Sequence, residues 1–354
     1  MNIKKLRNDI DNIDEQIQVL LSKRAQIALK IGKRKEYQNI DFYNPSREKE
    51  ILEMVKNRNT GPLANGDLCD IFKKIFTACL SIQNHLNIAI LGPLGSFSHE
   101  AVMTKFGRNI KLTPCNSIKD VFECVEKNKV SYGFVPIENS IEGIVNQTID
   151  ALSMTTAKIS DEFIMRINQY LLSSCLDIQQ ITQVYSHPQA FAQCQEWLKK
   201  HLPNAALIPV SSTSRAAMLA EKEATTAAIA SKFTLEYHKL NILAEHIEDV
   251  ADNSTRFLII SSRENENSKN NKTCTLVWLQ NKPGTLSTLL NHFANNHVNL
   301  TLIESRPCKH KIWEYFFFLE IDGNKNELKL KKTFKALEQN KFTYKILGSF
   351  SKAV

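Results

Sequence analysis

Arg7, Arg24 and Lys35 lie on one uninterrupted stretch and are the first residues whose type and spacing could do chemistry. Lys35 follows Arg24 by 11 residues. In a helix that spacing returns almost to the same face about 16 Å further along, and Ala28 leaves room between the two. Two long side chains can converge over that gap. Arg7 precedes Arg24 by 17 residues, about 25 Å away and rotated by about 100°, so it cannot reach the same ligand from the same helix. If Arg7 serves that site, another chain supplies it. From the helix alone, the three cations read first as a solvated basic face.

A second group of candidates follows short apolar runs. Residues 88–91 precede GPLGSFSHEA, 132–135 precede PIENSIEG, 183–185 precede SHPQAFAQC, and 207–210 precede SSTSRAA. Each is a strand followed by Ser, Thr, Asn or Pro at a helix start, the pattern of an open α/β sheet. Ligands in such sheets bind beyond the C-terminal strand ends, where helix N-termini favour anions. A cleft for a small carboxylate follows. Taken singly, Ser98, Ser186 and Thr213 also read as N-caps, Pro188 as a helix starter, and His99 and His187 as structural histidines. Gly92-x-x-Gly95-Ser96 lacks the Gly-Lys-Ser/Thr ending of a phosphate loop, so no nucleotide is expected.

These residues need three kinds of framework. Leu6, Ile10, Ile13, Ile17, Leu20, Ile27 and Ile31 keep helical spacing, with no Gly or Pro before Gly32, so one helix of about 30 residues is expected. Shorter helices follow over 47–57 and from Asp67 to about Leu86. Three helices of such unequal length leave the apolar stripe of the long one uncovered, which calls for partner subunits. The last part reads strand (273–280), helix (284–296), strand (299–305), strand (312–321), helix (325–340), strand (343–350), the βαββαβ order of a ferredoxin-like unit. Ser262 to Lys272 is nearly devoid of apolar residues and reads as a linker.

Composition sets the limits. The chain has 354 residues, 43% hydrophobic and 23% charged, too apolar for disorder and long enough for several domains. Its net charge of +8 divides as +4 over residues 1–90, −2 over 91–263 and +6 over 264–354. The basic excess of the last part includes Lys325, Lys329, Lys331, Lys332 and Lys335 beside one helix, a solvated face. The eight cysteines are scattered with no C-x-x-C pair, as for reduced structural thiols. The start is charged and amphipathic and no apolar run reaches about 18 residues, so a soluble cytoplasmic protein is expected, with no membrane partner. A transcription regulator with a basic helical domain competes as an alternative, but a helix of about 30 residues supplies no helix-turn-helix. No nucleic-acid partner is expected. A periplasmic solute-binding protein would need a signal peptide, and none is read.

The segments LRNDIDNIDEQIQVLLSKRAQIALKIGKRKE, YNPSREKEIL and IFKKIFTACLSIQ resemble the all-helical chorismate mutases across residues 1–86. The resemblance implies an intertwined dimer in which Arg24, and Arg7 of another chain, hold the two carboxylates of chorismate. Lys35 and Gln83 would donate to the breaking ether oxygen and Glu48 would accept from the ring hydroxyl, supported by Arg47. Asn44 and Cys79 stand where some members carry Asp and Ser. GPLGSFSHEA, PIENSIEG, SHPQAFAQC and NSTRFLII resemble prephenate dehydratases over 88–263, which implies two α/β lobes like those of periplasmic solute-binding proteins. By that resemblance Thr255 is essential, and Asn139, Ser186 and Gln193 bind prephenate. Arg256 either pairs with a substrate carboxylate or braces its loop.

KPGTL, ESRP and WEYFFFLEIDG resemble the regulatory ACT domain of these dehydratases. This implies phenylalanine bound at a subunit interface by Gly284, Thr285 and Leu286 with Glu304, Ser305, Arg306 and Pro307. The expectation is therefore a homodimer or higher homo-oligomer with a helical mutase domain (1–87), a dehydratase domain (88–263), a linker (264–272) and an ACT domain (273–354). Its substrates are chorismate and prephenate, and it needs neither metal nor cofactor.

Overall fold

With no Gly or Pro in its first 29 positions, helix α1 (Ile3–Tyr37) runs unbroken for 35 residues from an N-cap at Asn2, whose side chain accepts the Lys4 N–H. A computed structural model describes residues 2–38, 40–83, 86–264, 271–308 and 314–353. Helix α2 (Pro45–Arg58) opens with proline in its first turn, where the missing N–H costs nothing, and α3 (Asn65–Gln83) completes the helical region. Gly32 tolerates the helix interior because Gln83 of α3 crosses there: a Cβ on Gly32 would stand 2.9 Å from that of Gln83. Ala28 and Gly32 are the buried residues of α1. The seven-residue apolar stripe of α1 is 40–62% exposed in the single chain.

From Asn87 the chain alternates strands and helices: β1 (Asn87–Leu91), α4 (Phe97–Phe106), β2 (Lys111–Cys115), α5 (Ile118–Glu126), β3 (Tyr132–Asn139), β4 (Gly143–Ile144), α6 (Asn146–Met154) and β5 (Lys158–Arg166). It then forms β6 (Tyr170–Ser173), β7 (Gln183–Ser186), α7 (Pro188–Gln193), α8 (Gln195–His201), β8 (Ala206–Pro209), α9 (Thr213–Ala220), β9 (Thr226–Ala230) and β10 (Asn241–Ala244), and returns with β11 (Ser254–Ser261). Two sheets result, ordered β2-β1-β3-β11-β5, with β4 on β3, and β10-β6-β9-β7-β8. The strand-then-helix words thus fall in two mixed sheets. Antiparallel strands such as β11, paired with both β3 and β5, carry no local turn signal.

The last region is β12 (Asn271–Leu279), α10 (Thr285–Asn295), β13 (Leu300–Pro307), β14 (Tyr315–Asp322), α11 (Leu328–Gln339) and β15 (Thr343–Ser351). The βαββαβ order appears as expected, with strands arranged β13-β14-β12-β15. Residues 312 and 313 of the expected third strand, and 265–270 of the expected linker, lie outside the described residues. Asn271 and Lys272 correct the linker's end, since both belong to β12 and pair with β14 or β15.

The compact units do not coincide with the three regions. The chain divides into two compact units, residues 1–87 with 105–111, and 88–104 with 112–354. The last region is not a separate body. Its Cys274, Leu276, Leu347 and Phe350 share one apolar core with Ala89, Val135, Ile159 and Leu258. Gly348 on β15 also runs so close to β5 that a Cβ would meet the Ile159 carbonyl at 2.2 Å, an approach only glycine permits. All eight cysteines are free. No described helix is long and apolar enough to cross a membrane.

Candidate active sites

Arg24 turns inward from α1. Its Nη1 lies 2.8 Å from Cys79 Sγ and its guanidinium carbon 5.3 Å over the Phe76 ring, both on α3. One turn further, Gln83 Nε2 donates to the Cys79 carbonyl (3.2 Å), and Gln83 Oε1 is buried with no partner among the described residues. Lys35 Nζ donates to the Phe42 carbonyl at 2.8 Å. Burial pulls the Lys35 pKa down while the charges of Asp41 and Glu48 oppose that shift. The helices thus gather Arg24, Cys79 and Gln83, and set Lys35 in the field of Glu48. Asn44 is occupied as the N-cap of α2, accepting the Arg47 N–H at 3.0 Å. Arg47 pairs with Glu50 at 3.0 Å in an exposed position. Arg7 is exposed and about 25 Å from Arg24 along an unbroken helix.

In the second unit a cavity of about 580 Å³ lies between the two sheets. Helices α4, α6 and α9 begin at its wall, through Ser96 to Ser98, Asn146 and Gln147, and Ser212 and Thr213. Each presents unpaired backbone N–H groups and a positive dipole end. No Lys, Arg, Asp or Glu occurs among the described residues that line it. The caps differ from those expected by one or two residues. Ser96 Oγ accepts the His99 N–H, Ser212 Oγ accepts that of Arg215, and His187 Nδ1 accepts that of Gln189. Ser98 and Thr213 therefore sit inside their helices, on the cavity wall. His99 is structural: its Nδ1 accepts the Gly95 N–H at 2.9 Å and its ring packs on Phe233 and Tyr237.

Thr255 and Asn139 face each other across β11 and β3 and both line the cavity. Asn139 Oδ1 accepts the N–H groups of Ile141 (3.0 Å) and Glu142 (3.1 Å). That fixes its amide orientation, so Nδ2 donates to Thr255 Oγ1 at 3.0 Å and to Asn253 Oδ1 at 2.8 Å. Since Thr255 Oγ accepts from Asn139, its own proton is directed elsewhere. Gln193 also lines the cavity. Its Oε1 accepts from Gln169 Nε2 (3.0 Å) and its Nε2 donates to Glu142 Oε1 (3.3 Å).

Two expected residues lie away from this cavity, and for Arg256 the bracing alternative fits. Ser186 is fully buried and donates to the Ile229 carbonyl at 2.8 Å, tying β7 to β9 rather than lining the cavity. Arg256 follows Thr255 directly in a strand, so its side chain leaves by the opposite face. Its guanidinium is held there by Glu138 (2.8 Å), Glu162 (3.0 Å) and Glu320 (2.5 Å) and offers no charge to the cavity.

In the last region Gly284 has φ +79° immediately before α10, which a side chain would strain. Thr285 Oγ1 donates to the Lys282 carbonyl at 3.0 Å, and Leu286 is exposed. On the edge strand β13, Glu304 and Arg306 are half-buried while Ser305 and Pro307 face solvent. Arg306 grips both oxygens of Asp150 on α6 at 3.2 Å.

Residues 6–84 match the family model for chorismate mutase type II, residues 88–265 that for prephenate dehydratase, and residues 275–339 that for the ACT domain. The bifunctional chorismate mutase/prephenate dehydratase of Aquifex aeolicus is 40% identical over 356 residues, spanning 99% of this chain and 98% of that one. The chain belongs to this family. The bifunctional chorismate mutase/prephenate dehydratase of Pseudomonas aeruginosa is 38% identical, again over 99% and 98% of the two chains. A solved prephenate dehydratase of Arthrobacter aurescens in complex with L-Phe is 33% identical and covers 76% of this chain and 90% of that one, with a TM-score of 0.70. The three-domain architecture of mutase, dehydratase and ACT regions is thereby shown.

Sequence reasoning missed Gln169 in the dehydratase cavity. This residue is almost fully buried, lines the cavity and leaves Oε1 with no partner among the described residues. The available signal was the polar pair Asn168-Gln169 interrupting two apolar runs. Glu142 and Asn253, which fix Gln193 and Asn139, were missed because their roles depend on contacts made across loops.

Proposed function

We propose that the helical region rearranges chorismate to prephenate and that the two-sheet cavity converts prephenate to phenylpyruvate. The observation that carries this reading is the Thr255 hydroxyl, held at 3.0 Å by Asn139 Nδ2 on the wall of a cavity whose positive character comes from helix starts. In the dehydratase step the bond to the ring carboxylate breaks and CO2 leaves. Its electron pair aromatises the ring as the ring C–O bond breaks. The departing oxygen takes a proton through Thr255 and leaves as water, and solvent resupplies that proton. Hydrogen-bond donation by Asn139 stabilises the transient charge on Oγ1, which strengthens Thr255 as an acid. The prephenate carboxylates lie against the starts of α4, α6 and α9, and Gln193 and Gln169 orient the rest of the molecule.

The mutase reaction is pericyclic and is served by orientation and charge. Arg24 binds one carboxylate and Arg7 of a second copy the other, while Lys35 and Gln83 donate to the ether oxygen and Glu48 accepts from the hydroxyl. A half-turn of the Gln83 amide exchanges its buried Oε1 for the donor. The exposed stripe of α1 supports the intertwined dimer. Covering seven apolar side chains that are each about half exposed is worth on the order of 5–10 kcal/mol, as an upper bound. The ACT domain takes phenylalanine at a subunit interface between Gly284 to Leu286 and Glu304 to Pro307. The open backbone at Gly284 and the uncovered edge strand β13 support that site. Reduced cysteines accord with a cytoplasmic setting. Purified protein given chorismate, without added metal or nucleotide, is expected to form phenylpyruvate, measured by its absorbance in base. Accumulation of prephenate alone would overturn the dehydratase reading, and unreacted chorismate the mutase reading.

A further inference from the structure

Two neighbouring rungs of the β3/β11 ladder face opposite ways. Thr255 stands opposite Asn139, and Arg256 opposite Glu138. The first rung carries the hydrogen bond onto the reacting hydroxyl. The second carries Arg256 Nη2 and Nε to Glu138 Oε2, at 2.8 and 3.1 Å, on the face turned to the ACT sheet. There Arg256 Nη1 reaches Glu162 Oε2 at 3.0 Å and Glu320 Oε1 at 2.5 Å. Lys272 Nζ closes the group at 2.8 Å from Glu162 and 3.1 Å from Glu320, and the Ala353 N–H donates to the other oxygen of Glu162 at 2.9 Å. Glu138, Glu162 and Arg256 belong to the dehydratase sheet, whereas Lys272, Glu320 and Ala353 belong to the ACT region. Arg256, Lys272, Glu162 and Glu320 are each more than nine-tenths buried.

A buried charge cluster adds little stability over apolar packing, but it is intolerant of a missing or displaced member. This one fixes the backbone immediately beside the reacting residue. The β3/β11 ladder shifts register by one residue between Arg256 and Phe257 before pairing resumes at Pro136, so the guanidinium anchors the rung that borders this irregularity. On the ACT side, Glu320 of β14 lies opposite Leu302 of β13, two residues from Glu304. We propose that Arg256 is a positioning residue for Thr255, held by Glu320 and Lys272, and that through this cluster the ACT domain sets the dehydratase rate. The effector half rests on the phenylalanine site proposed above and takes its ligand as a feedback inhibitor of the dehydratase, and the positioning half does not. A ligand that favours one arrangement of β13 and β14 thereby moves the Thr255 rung.

The test uses the full chain with Arg256→Gln, Arg256→Lys and Glu320→Gln. Dehydratase kcat and KM are measured on supplied prephenate, mutase kcat on chorismate, unfolding midpoints on the same samples, and phenylalanine binding by calorimetry. Misplacing a catalytic group by about 1 Å costs about a hundredfold, so Arg256→Gln should lower dehydratase kcat by about that factor with KM within about threefold. Arg256→Lys should recover about tenfold of the loss, and the near-isosteric Glu320→Gln should lower kcat about fivefold. Mutase kcat should stay within about twofold in all three. Glu320→Gln should still bind phenylalanine yet need about fivefold more for half-inhibition. Unchanged dehydratase kcat in both Arg256→Gln and Glu320→Gln, or loss that follows the unfolding midpoint with no recovery in Arg256→Lys, overturns the positioning role. Unaltered inhibition of Glu320→Gln overturns the ACT coupling. Wild-type protein that neither binds phenylalanine nor responds to it overturns the feedback reading instead, and the kcat comparison still decides Arg256.

Discussion

In the mutase region the cations near the candidate site are side chains, with Arg24 beside Cys79 at 2.8 Å and Lys35 anchored on the Phe42 carbonyl. In the dehydratase cavity no charged side chain appears among the described lining residues, and helix starts and neutral amides take their place. Both regions belong to a chain whose substrates carry two carboxylates, yet one has a net charge of +4 and the other −2. Long basic side chains suit a site completed by another subunit, because they can reach across an interface. Backbone N–H groups at helix starts are fixed by the fold itself and need no partner to hold them. Net charge therefore says little about ligand charge when the positive groups are peptide dipoles.

The largest expected effects break the molecule into its two halves. Thr255→Ala removes the proposed proton donor and should cut phenylpyruvate formation by roughly 10²–10⁴-fold, with mutase turnover intact and prephenate accumulating in the chromatogram. Loss of both activities would mean a shared site. Conversely, Lys35→Ala should lower mutase kcat by roughly 10²–10³-fold and leave conversion of supplied prephenate unchanged. Normal mutase turnover in that variant would remove Lys35 from the site.

How much of this was legible differs by element. Helix α1 and the βαββαβ region were readable because periodicity and the absence of Gly and Pro are local properties. The strand-end words located the cavity wall, although the true caps, Ser96, Ser212 and His187, lie one or two residues from or beside the expected Ser98, Thr213 and Ser186. Strand alternation alone tells against placing both Thr255 and Arg256 in one cavity, since neighbours in a strand point apart. What made Arg256 look like a substrate ligand was its charge beside Thr255. Its actual partners, Glu162 and Glu320, are 94 and 64 residues away, and no local pattern announces them. Lys272 was hidden for the same reason. It ends a polar run that reads as linker, and only burial against Glu162, 110 residues distant, makes it part of a core.

Smaller effects sharpen the comparison. Asn139→Ala removes the donor to Thr255 Oγ1 and should lower dehydratase kcat by roughly 10–10²-fold with a lesser change in KM. An equal rise in KM at constant kcat would make Asn139 a simple binding residue. The cluster behind it gives the second unit a pH signature. Burial pushes the Glu162 carboxyl up, but Lys272, the Ala353 N–H and Arg256 outweigh it and hold it below its ordinary range. Its stabilisation is complete above about pH 4.3 and is lost as pH falls through the lower folded value. Burial pushes Lys272 down, but Glu320 and Glu162 raise it overall. Its share is complete below about pH 10.4 and is lost as pH rises through the higher folded value. The unfolding midpoint should therefore be flat between these limits and fall by several degrees outside them. Lys272→Gln should abolish the alkaline fall and most of the acid fall, because Lys272 is the largest attraction on Glu162.

The smallest effect tests the contrast in binding strategy most directly. Solvent-exposed side-chain charges are screened by salt over about 10 Å at 0.1 M, whereas buried groups are screened far less. Arg7 is exposed and Arg24 and Lys35 are half-buried, so KM for chorismate should rise severalfold between about 20 mM and 500 mM sodium chloride. The helix starts at the dehydratase cavity are backbone groups fixed by intrahelical hydrogen bonds, and Asn139 and Gln193 are buried. KM for prephenate should change by less than about twofold over the same range. Equal salt sensitivity of the two KM values would show that a charged side chain reaches prephenate after all. Arg215, on α9 just beyond the Ser212 cap, would then be the first residue to replace.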